Sequence, residues 1–229
     1  MAENQPMQFF FKGMPTTWFE LSMLATQYRS IPIYQYFRDL NERLSMLHPD
    51  VLALLYHYGA CASGQILELG PYVGGSTISL ARGIKDAHGS NRITSIEKGG
   101  RYEHPTFSTT DIVESLRTNL KNYGVADKVD LIVGHSREPA VLNQLSEVSV
   151  RNGKFACLVL DADGRVEEDV ALYRPYLVQR CYLVVDDYYA PGAPEKEETT
   201  RHNVDALQKQ GLVESFGVHG WGTWFGRFL

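Results

Sequence analysis

The sequence has no cluster of lysine and arginine, no long uninterrupted apolar stretch and no closely spaced cysteines. Its 22 basic residues are scattered among 27 acidic ones, for a net charge of -5. A surface that tracks a phosphate backbone needs a basic stripe, so nucleic acid is excluded as an expected partner. Crossing a bilayer takes about 20 consecutive apolar residues, and no such run occurs. The opening MAENQPMQ lacks the basic-then-apolar order of a secretory signal. The expected location is the cytoplasm, with no membrane partner. Cys61, Cys157 and Cys181 show no metal-ligand spacing and leave one over from any disulfide pair. They read as reduced core residues.

What is present is an ordinary balance, 44% hydrophobic and 21% charged over 229 residues, enough to bury a substantial core in one domain. From Gln65 onward, apolar runs alternate with helical patterns: ILELG then STISLARGIKDAH, RITSIE then TDIVESLRTNLKNYG, KVDLIVG then EPAVLNQLSEV, FACLVLD then EEDVALYRPYLVQ, CYLVVDD then RHNVDALQKQG. This predicts βα units in a parallel sheet with helices on both faces. LVESFGV and TWFGRFL are joined only by HGWG, which predicts a closing antiparallel hairpin. The polar stretch EKEETTRHN (195–203) reads as an exposed loop entering a helix.

Residues 1–47 carry helical spacing and an aromatic load that includes Phe9, Phe10, Phe11, Trp18, Phe19, Tyr28, Tyr34, Tyr36 and Phe37. They are expected to cap the main domain, residues 48–229, as a substrate lid or an oligomerisation segment. A homodimer is the corresponding partner expectation.

ILELGPYVGGSTISLAR places Gly70, Gly74 and Gly75 between a strand and a helix, where the backbone can turn tightly and approach a ligand. The spacing is not the dinucleotide fingerprint. Glu68 inside the strand end would repel a pyrophosphate but suits an ammonium group. Glu97, closing the next strand, is placed for ribose hydroxyls. A ligand with a ribose, an ammonium group and no required phosphate is described by S-adenosylmethionine. The plainer alternatives are a helix-capping acid and a solvated strand end.

Two further strands end in acids, LVLDADGR (158–165) and LVVDDY (183–188). Ligands of open parallel sheets bind beyond the carboxyl ends of the strands, so Asp161, Asp163, Asp186 and Asp187 should edge the same cleft. Alternation along a strand keeps all four from converging without help from the loops, although three could. Close carboxylates raise one another's pKa unless a cation neutralises them, and an all-oxygen set suits Mg²⁺ or a similar hard cation. The alternative is that these acids cap helices, and Asp163 fits either reading.

ILELGPYVGGSTISLAR resembles the first motif of the small metal-dependent O-methyltransferases typified by catechol O-methyltransferase. TSIE, GVADKVDLIVGHSRE, LVLDAD and LVVDDYYAPGAP follow in the same order, from about Gln65 to Pro194. The resemblance implies a class I, Rossmann-like domain with the seven-stranded methyltransferase fold. It implies that Glu68, Gly70, Tyr72, Gly74 and Ser76 hold the methionine part of S-adenosylmethionine, Glu97 the ribose, and Ser136 and Arg137 the adenine side. His135 falls in that adenine motif rather than at a base position. Asp161, Asp186 and Asp187 are assigned to the metal, the last standing where the family often has asparagine. The implied reaction is methyl transfer to a hydroxyl of a small molecule, with Mg²⁺ chelating and acidifying the acceptor.

One departure bears on the base. The family commonly places a lysine where this chain has Gly164, and the adjacent Arg165 stays protonated. Asp161 or Asp163 must take the proton, or the acceptor needs no strong base. This is more similar to methyltransferases of natural-product sugars and macrolides. The insertion GGRYEHPTFSTTD would then face the substrate through Tyr102, Glu103 and His104, with His219 and Trp221 on the same rim. N-methylation, a hydroxylase-named relative of the same fold and a non-catalytic cofactor-binding partner remain open alternatives.

Overall fold

The five apolar runs rich in Val, Ile and Leu form parallel strands at the centre of the structure: β1 (Gln65–Leu69), β2 (Ile93–Glu97), β3 (Val129–Val133), β4 (Phe155–Leu160) and β5 (Leu177–Val185). The computed structural model describes residues 13–229, so Phe9, Phe10 and Phe11 lie outside the described residues. The terminal hairpin, β6 (Val213–His219) and β7 (Thr223–Phe228), enters with β7 antiparallel to both β5 and β6. The sheet order is β3-β2-β1-β4-β5-β7-β6. Chain order reverses between β1 and β4, and the carboxyl ends of these neighbours form the crevice where open α/β sheets bind ligands.

Alternate strand residues feed two cores. Ile66, Val159, Val184 and Phe225 pack on one face with α3 (Pro49–Cys61), α4 (Gly75–Asp86) and α5 (Ile112–Asn122). Leu67, Leu158, Leu183 and Trp224 pack on the other with α6 (Pro139–Asn152), α7 (Val166–Tyr173) and α8 (Pro194–Lys209). This is the period of two expected of a sheet covered on both sides. The amino-terminal helices α1 (Trp18–Arg29) and α2 (Ile33–Leu44) join the first core through Leu21, Leu24, Tyr28, Phe37 and Leu40. Trp18 and Phe19 stay exposed. Among the described residues, no helix is long and apolar enough to cross a membrane.

Two expectations require correction. EKEETTRHN is not a loop, because α8 starts at Pro194. Proline in the first turn, followed by Glu195 and Glu197, gives that end a favourable φ and a charge that complements the helix dipole. The helical reading of EEDVALYRPYLVQ also runs too far. Pro175 sits within a short 3-10 turn, Arg174–Tyr176, and β5 begins at Leu177.

Candidate active site

Glu68 on β1, Asp161 just past β4 and Asp186 just past β5 share parity with Ile66, Val159 and Val184, so alternation turns all three toward the α3/α4 side. They line one small, partly open cavity with Gly70, Ser76, Thr223, Val51 and Leu55. Asp187 has the opposite parity. Its left-handed backbone, φ 59°, breaks the alternation, a conformation uncommon outside glycine but best tolerated by Asp and Asn. Asp161, Asp186 and Asp187 thereby offer carboxylate oxygens all within 4.8 Å of one another.

On the β1 side, Glu68 is buried, and its Oε2 accepts from Thr77 Oγ1 at 2.7 Å and Ser95 Oγ at 2.6 Å. Its Oε1 is buried without a hydrogen-bond partner. Burial pushes this carboxyl above its ordinary pKa, against the opposing pull of nearby hydroxyls. A buried acceptor with an open lone pair fits an ammonium donor. At Gly70 the backbone turns at φ 77°, and a Cβ would lie 2.0 Å from the Asp161 carbonyl oxygen. Only glycine lets the β1 turn pass this close to the end of β4. Gly74 caps α4, and Ser76 lies in that helix's first turn.

Glu97, at the end of β2, accepts from the backbone N–H groups of Tyr72 (3.1 Å) and Gly99 (2.9 Å). Burial raises its pKa, and these amides oppose the shift. Tyr72 donates its hydroxyl to the Phe107 carbonyl and packs edge-on against Tyr102 at 5.2 Å. This ties the cofactor-side turn to the inserted loop. In that loop, Arg101, Tyr102, Glu103 and His104 line an open trough of about 700 Å³. The His104 ring stacks between those of Tyr102 and Phe107.

The acid cluster has two partners that sequence reasoning missed. Thr223 on β7 donates to Asp186 Oδ1 at 2.5 Å. Lys196, in the first turn of α8, donates to Asp161 Oδ1 at 3.0 Å and pairs with Asp187 Oδ2. Burial and then the neighbouring Asp161 and Asp187 charges push Asp186 up to about 7. Asp161 is raised by burial as well. Burial favours neutral Lys196, but the two carboxylates outweigh it and raise its pKa.

Asp163 stands apart from the cluster. Arg137 holds it with a fork of 2.7 and 3.0 Å and also lies 2.9 Å from Asp169. Those hydrogen bonds hold the half-exposed Asp163 down to about 2, whereas burial lifts Asp169 to about 6 despite the same guanidinium. Ser136 accepts at its carbonyl from the Tyr173 hydroxyl, and His135 Nδ1 faces the Arg137 amide at 3.4 Å. At the hairpin, exposed Trp221 meets His48 edge-on at 5.1 Å, and His219 packs against Phe225.

The fold and this geometry coincide with a recognised family. A model described as "Methyltransferase domain" matches residues 67–188, just over half of the chain, and the chain belongs to that family. Catechol O-methyltransferase of Mycobacterium tuberculosis is 29% identical over 161 residues, covering 70% of this chain and 63% of that relative, so the match spans less than two thirds of the relative's length. The O-methyltransferase TomG from Streptomyces achromogenes, involved in tomaymycin synthesis and solved with S-adenosylmethionine, superposes with a TM-score of 0.59 at 21% identity, over 91% of this chain and 88% of that one. The S-adenosylhomocysteine-bound methyltransferase PaMTH1 of Podospora anserina gives 0.57 at 18% identity, over 91% and 87%. The architecture is the seven-stranded methyltransferase fold, with helices on both faces and a carboxyl-terminal antiparallel strand.

Proposed function

We propose that the chain transfers a methyl group from S-adenosylmethionine to a hydroxyl of a small molecule, using Mg²⁺ or a similar divalent cation held by Asp161, Asp186 and Asp187. The observation that carries this is one cavity at the sheet's switch point, lined by Glu68, Asp161 and Asp186, with the unpartnered Glu68 oxygen on one side and, on the other, two acids that cluster with Asp187. Family membership and the M. tuberculosis relative support the reading.

In this reading Glu68 Oε1 accepts from the methionine ammonium, with Gly70, Tyr72, Gly74 and Ser76 shaping its seat. Glu97 receives the ribose hydroxyls, and the loop carrying Ser136 borders the adenine. Arg137 holds that loop through Asp163 and Asp169. A divalent cation supplies Lewis acidity that eases loss of the acceptor's proton. Asp163, held low by Arg137, is a weak proton acceptor, which leaves Asp161 of the two carboxylates named from sequence. The protein's main contribution is to align the acceptor oxygen with the sulfonium methyl group. Tyr102, Glu103, His104, His219 and Trp221 border the acceptor side, with residues 1–47 as the cap. Gly164 in place of lysine favours a natural-product acceptor. The exposed Trp18 and Phe19 suit a homodimer contact, and the cytoplasm is the proposed location.

Calorimetry with S-adenosylmethionine, with and without Mg²⁺, tests the class, and absence of cofactor binding overturns it. Asp186→Ala should abolish transfer while sparing cofactor binding. Full activity in EDTA would remove the metal. A labelled methyl donor offered with catechols, glycosides and amines separates O- from N-methylation.

A further inference from the structure

Among the described residues, Asp161 and Asp187 both form ion pairs with Lys196, a residue of α8 and not of either acid-bearing loop. Its side chain is 30% exposed, and it carries its charge into a group of carboxylates that would otherwise repel one another. It arrives through the packing of α8 on the β4–α7 loop. Gly164, with φ 81°, packs directly on the first turns of α8: a Cβ there would lie 2.7 Å from Thr200 Oγ1 and 3.3 Å from the Lys196 carbonyl oxygen. A side chain at position 164 would press on Thr200 and sit in a left-handed backbone conformation, so the close seat of α8 favours glycine there. With α8 seated on this glycine, Lys196 reaches Asp161 and Asp187 from a different element.

We propose that Lys196 is an internal counter-cation of the acid cluster, occupying Asp161 and Asp187 when no metal is bound, and that metal loading displaces it. The proposal rests on the metal reading above. An ammonium already seated on Asp161 Oδ1 and Asp187 Oδ2 would repel an incoming dication and compete with it for the same two carboxylates. Fully ionised, three carboxylates against one ammonium leave a double negative charge, so Lys196 offsets only part of the repulsion and a dication is the stronger partner. Asp187, where the family often has asparagine, is the acid that Lys196 contacts most closely. The extra carboxylate and the relocated lysine thus act as a pair. Metal entry is then also a release of the first turn of α8 from the acid cluster.

The test uses the full chain and Mg²⁺ alone. A site whose competent form is a minor fraction binds more weakly by that fraction, so Lys196→Met should tighten Mg²⁺ binding by calorimetry about 10-fold or more. Loss of a nearby charge would also tighten it, so displacement itself is read in the unmodified protein. Acetylation of Lys196, followed by mass spectrometry, should be slow without Mg²⁺ and at least about 10-fold faster with saturating Mg²⁺, with exposed Lys154 unchanged as the internal control. Mg²⁺ binding that leaves Lys196 labelling unaltered, or an affinity unchanged or weakened in Lys196→Met, overturns the proposal while leaving the metal reading intact. Failure of Mg²⁺ to bind either protein overturns both.

Discussion

Thr223 donates its hydroxyl to Asp186 across a strand boundary: the acid closes parallel β5, and the threonine opens antiparallel β7. The reversed strand is thus a working part of the site, since its first residue, 3% exposed, fixes one carboxylate oxygen and leaves the other for the cavity. Groups that orient a ligand's carboxylate typically govern about 10- to 100-fold in metal affinity. Thr223→Val, close in shape but without the hydroxyl, should weaken Mg²⁺ binding by about 10-fold or more and leave S-adenosylmethionine affinity unchanged. Calorimetry of the two ligands separately checks both halves.

Glu68, the proposed seat of the cofactor's ammonium group, is buried at a cost in stability. Its folded pKa is raised by burial, so its favourable contribution is complete below the unfolded pKa and is lost as pH rises through the folded value. Wherever the carboxyl is ionised, its buried charge destabilises the empty protein. Glu68→Gln retains an oxygen for Thr77 and Ser95 but removes the charge. Its melting temperature should rise by about 2–4 °C for each kcal/mol recovered. S-adenosylmethionine binding should weaken by about 10- to 100-fold, the equivalent of one charge-assisted hydrogen bond. Melting curves and cofactor titration must move in opposite directions, and a variant both less stable and unaltered in binding would refute this account.

The strands were legible because each is an apolar run bounded by turn residues, and Glu68, Glu97, Asp161 and Asp186 were legible because they stand at the ends of those runs. α8 was obscured by its composition, since only Thr200, Val204 and Leu207 of its residues are buried and its first turns show no apolar stripe. Pro194 with Glu195 and Glu197 was the available start signal. The contact of Lys196 with Asp161 and Asp187 depends on α8 resting against Gly164, a tertiary fact with no local signature. Convergence of Asp187 with the other acids likewise required a left-handed residue, which strand periodicity argues against.

His57 predicts how the cap responds to acid. Fully buried on α3, its Nε2 donates to the Gly13 carbonyl at 2.8 Å and its Nδ1 accepts from the Tyr28 hydroxyl at 3.1 Å. Burial depresses its pKa below the ordinary 6.5. The unfolded chain therefore binds more protons in the window beneath 6.5, and stability falls as pH drops through it, by about 1.4 kcal/mol per unit of depression. His57→Gln, which keeps a donor and an acceptor without a titrating ring, should show a shallower loss in urea denaturation between neutral pH and pH 5. Some acid sensitivity should persist, because burial also depresses His48 and His219.

Arg137 is the final case, because two roles for it make opposite predictions. Sequence resemblance set it beside the adenine, whereas its guanidinium is held by Asp163 and by the buried Asp169. Removing one member of a buried ion pair leaves an uncompensated charge and costs about 3–5 kcal/mol. The guanidinium is 21% exposed, which places Arg137→Ala near the lower end of that range. If its part is to hold the Ser136 loop, the loss appears in urea denaturation, while S-adenosylmethionine affinity changes little at temperatures where the variant is folded. Arg137→Lys should recover only part of the stability, since an ammonium cannot reproduce the two-pronged contact with Asp163. A variant of near-normal stability that no longer binds the cofactor would instead place the guanidinium on the adenine.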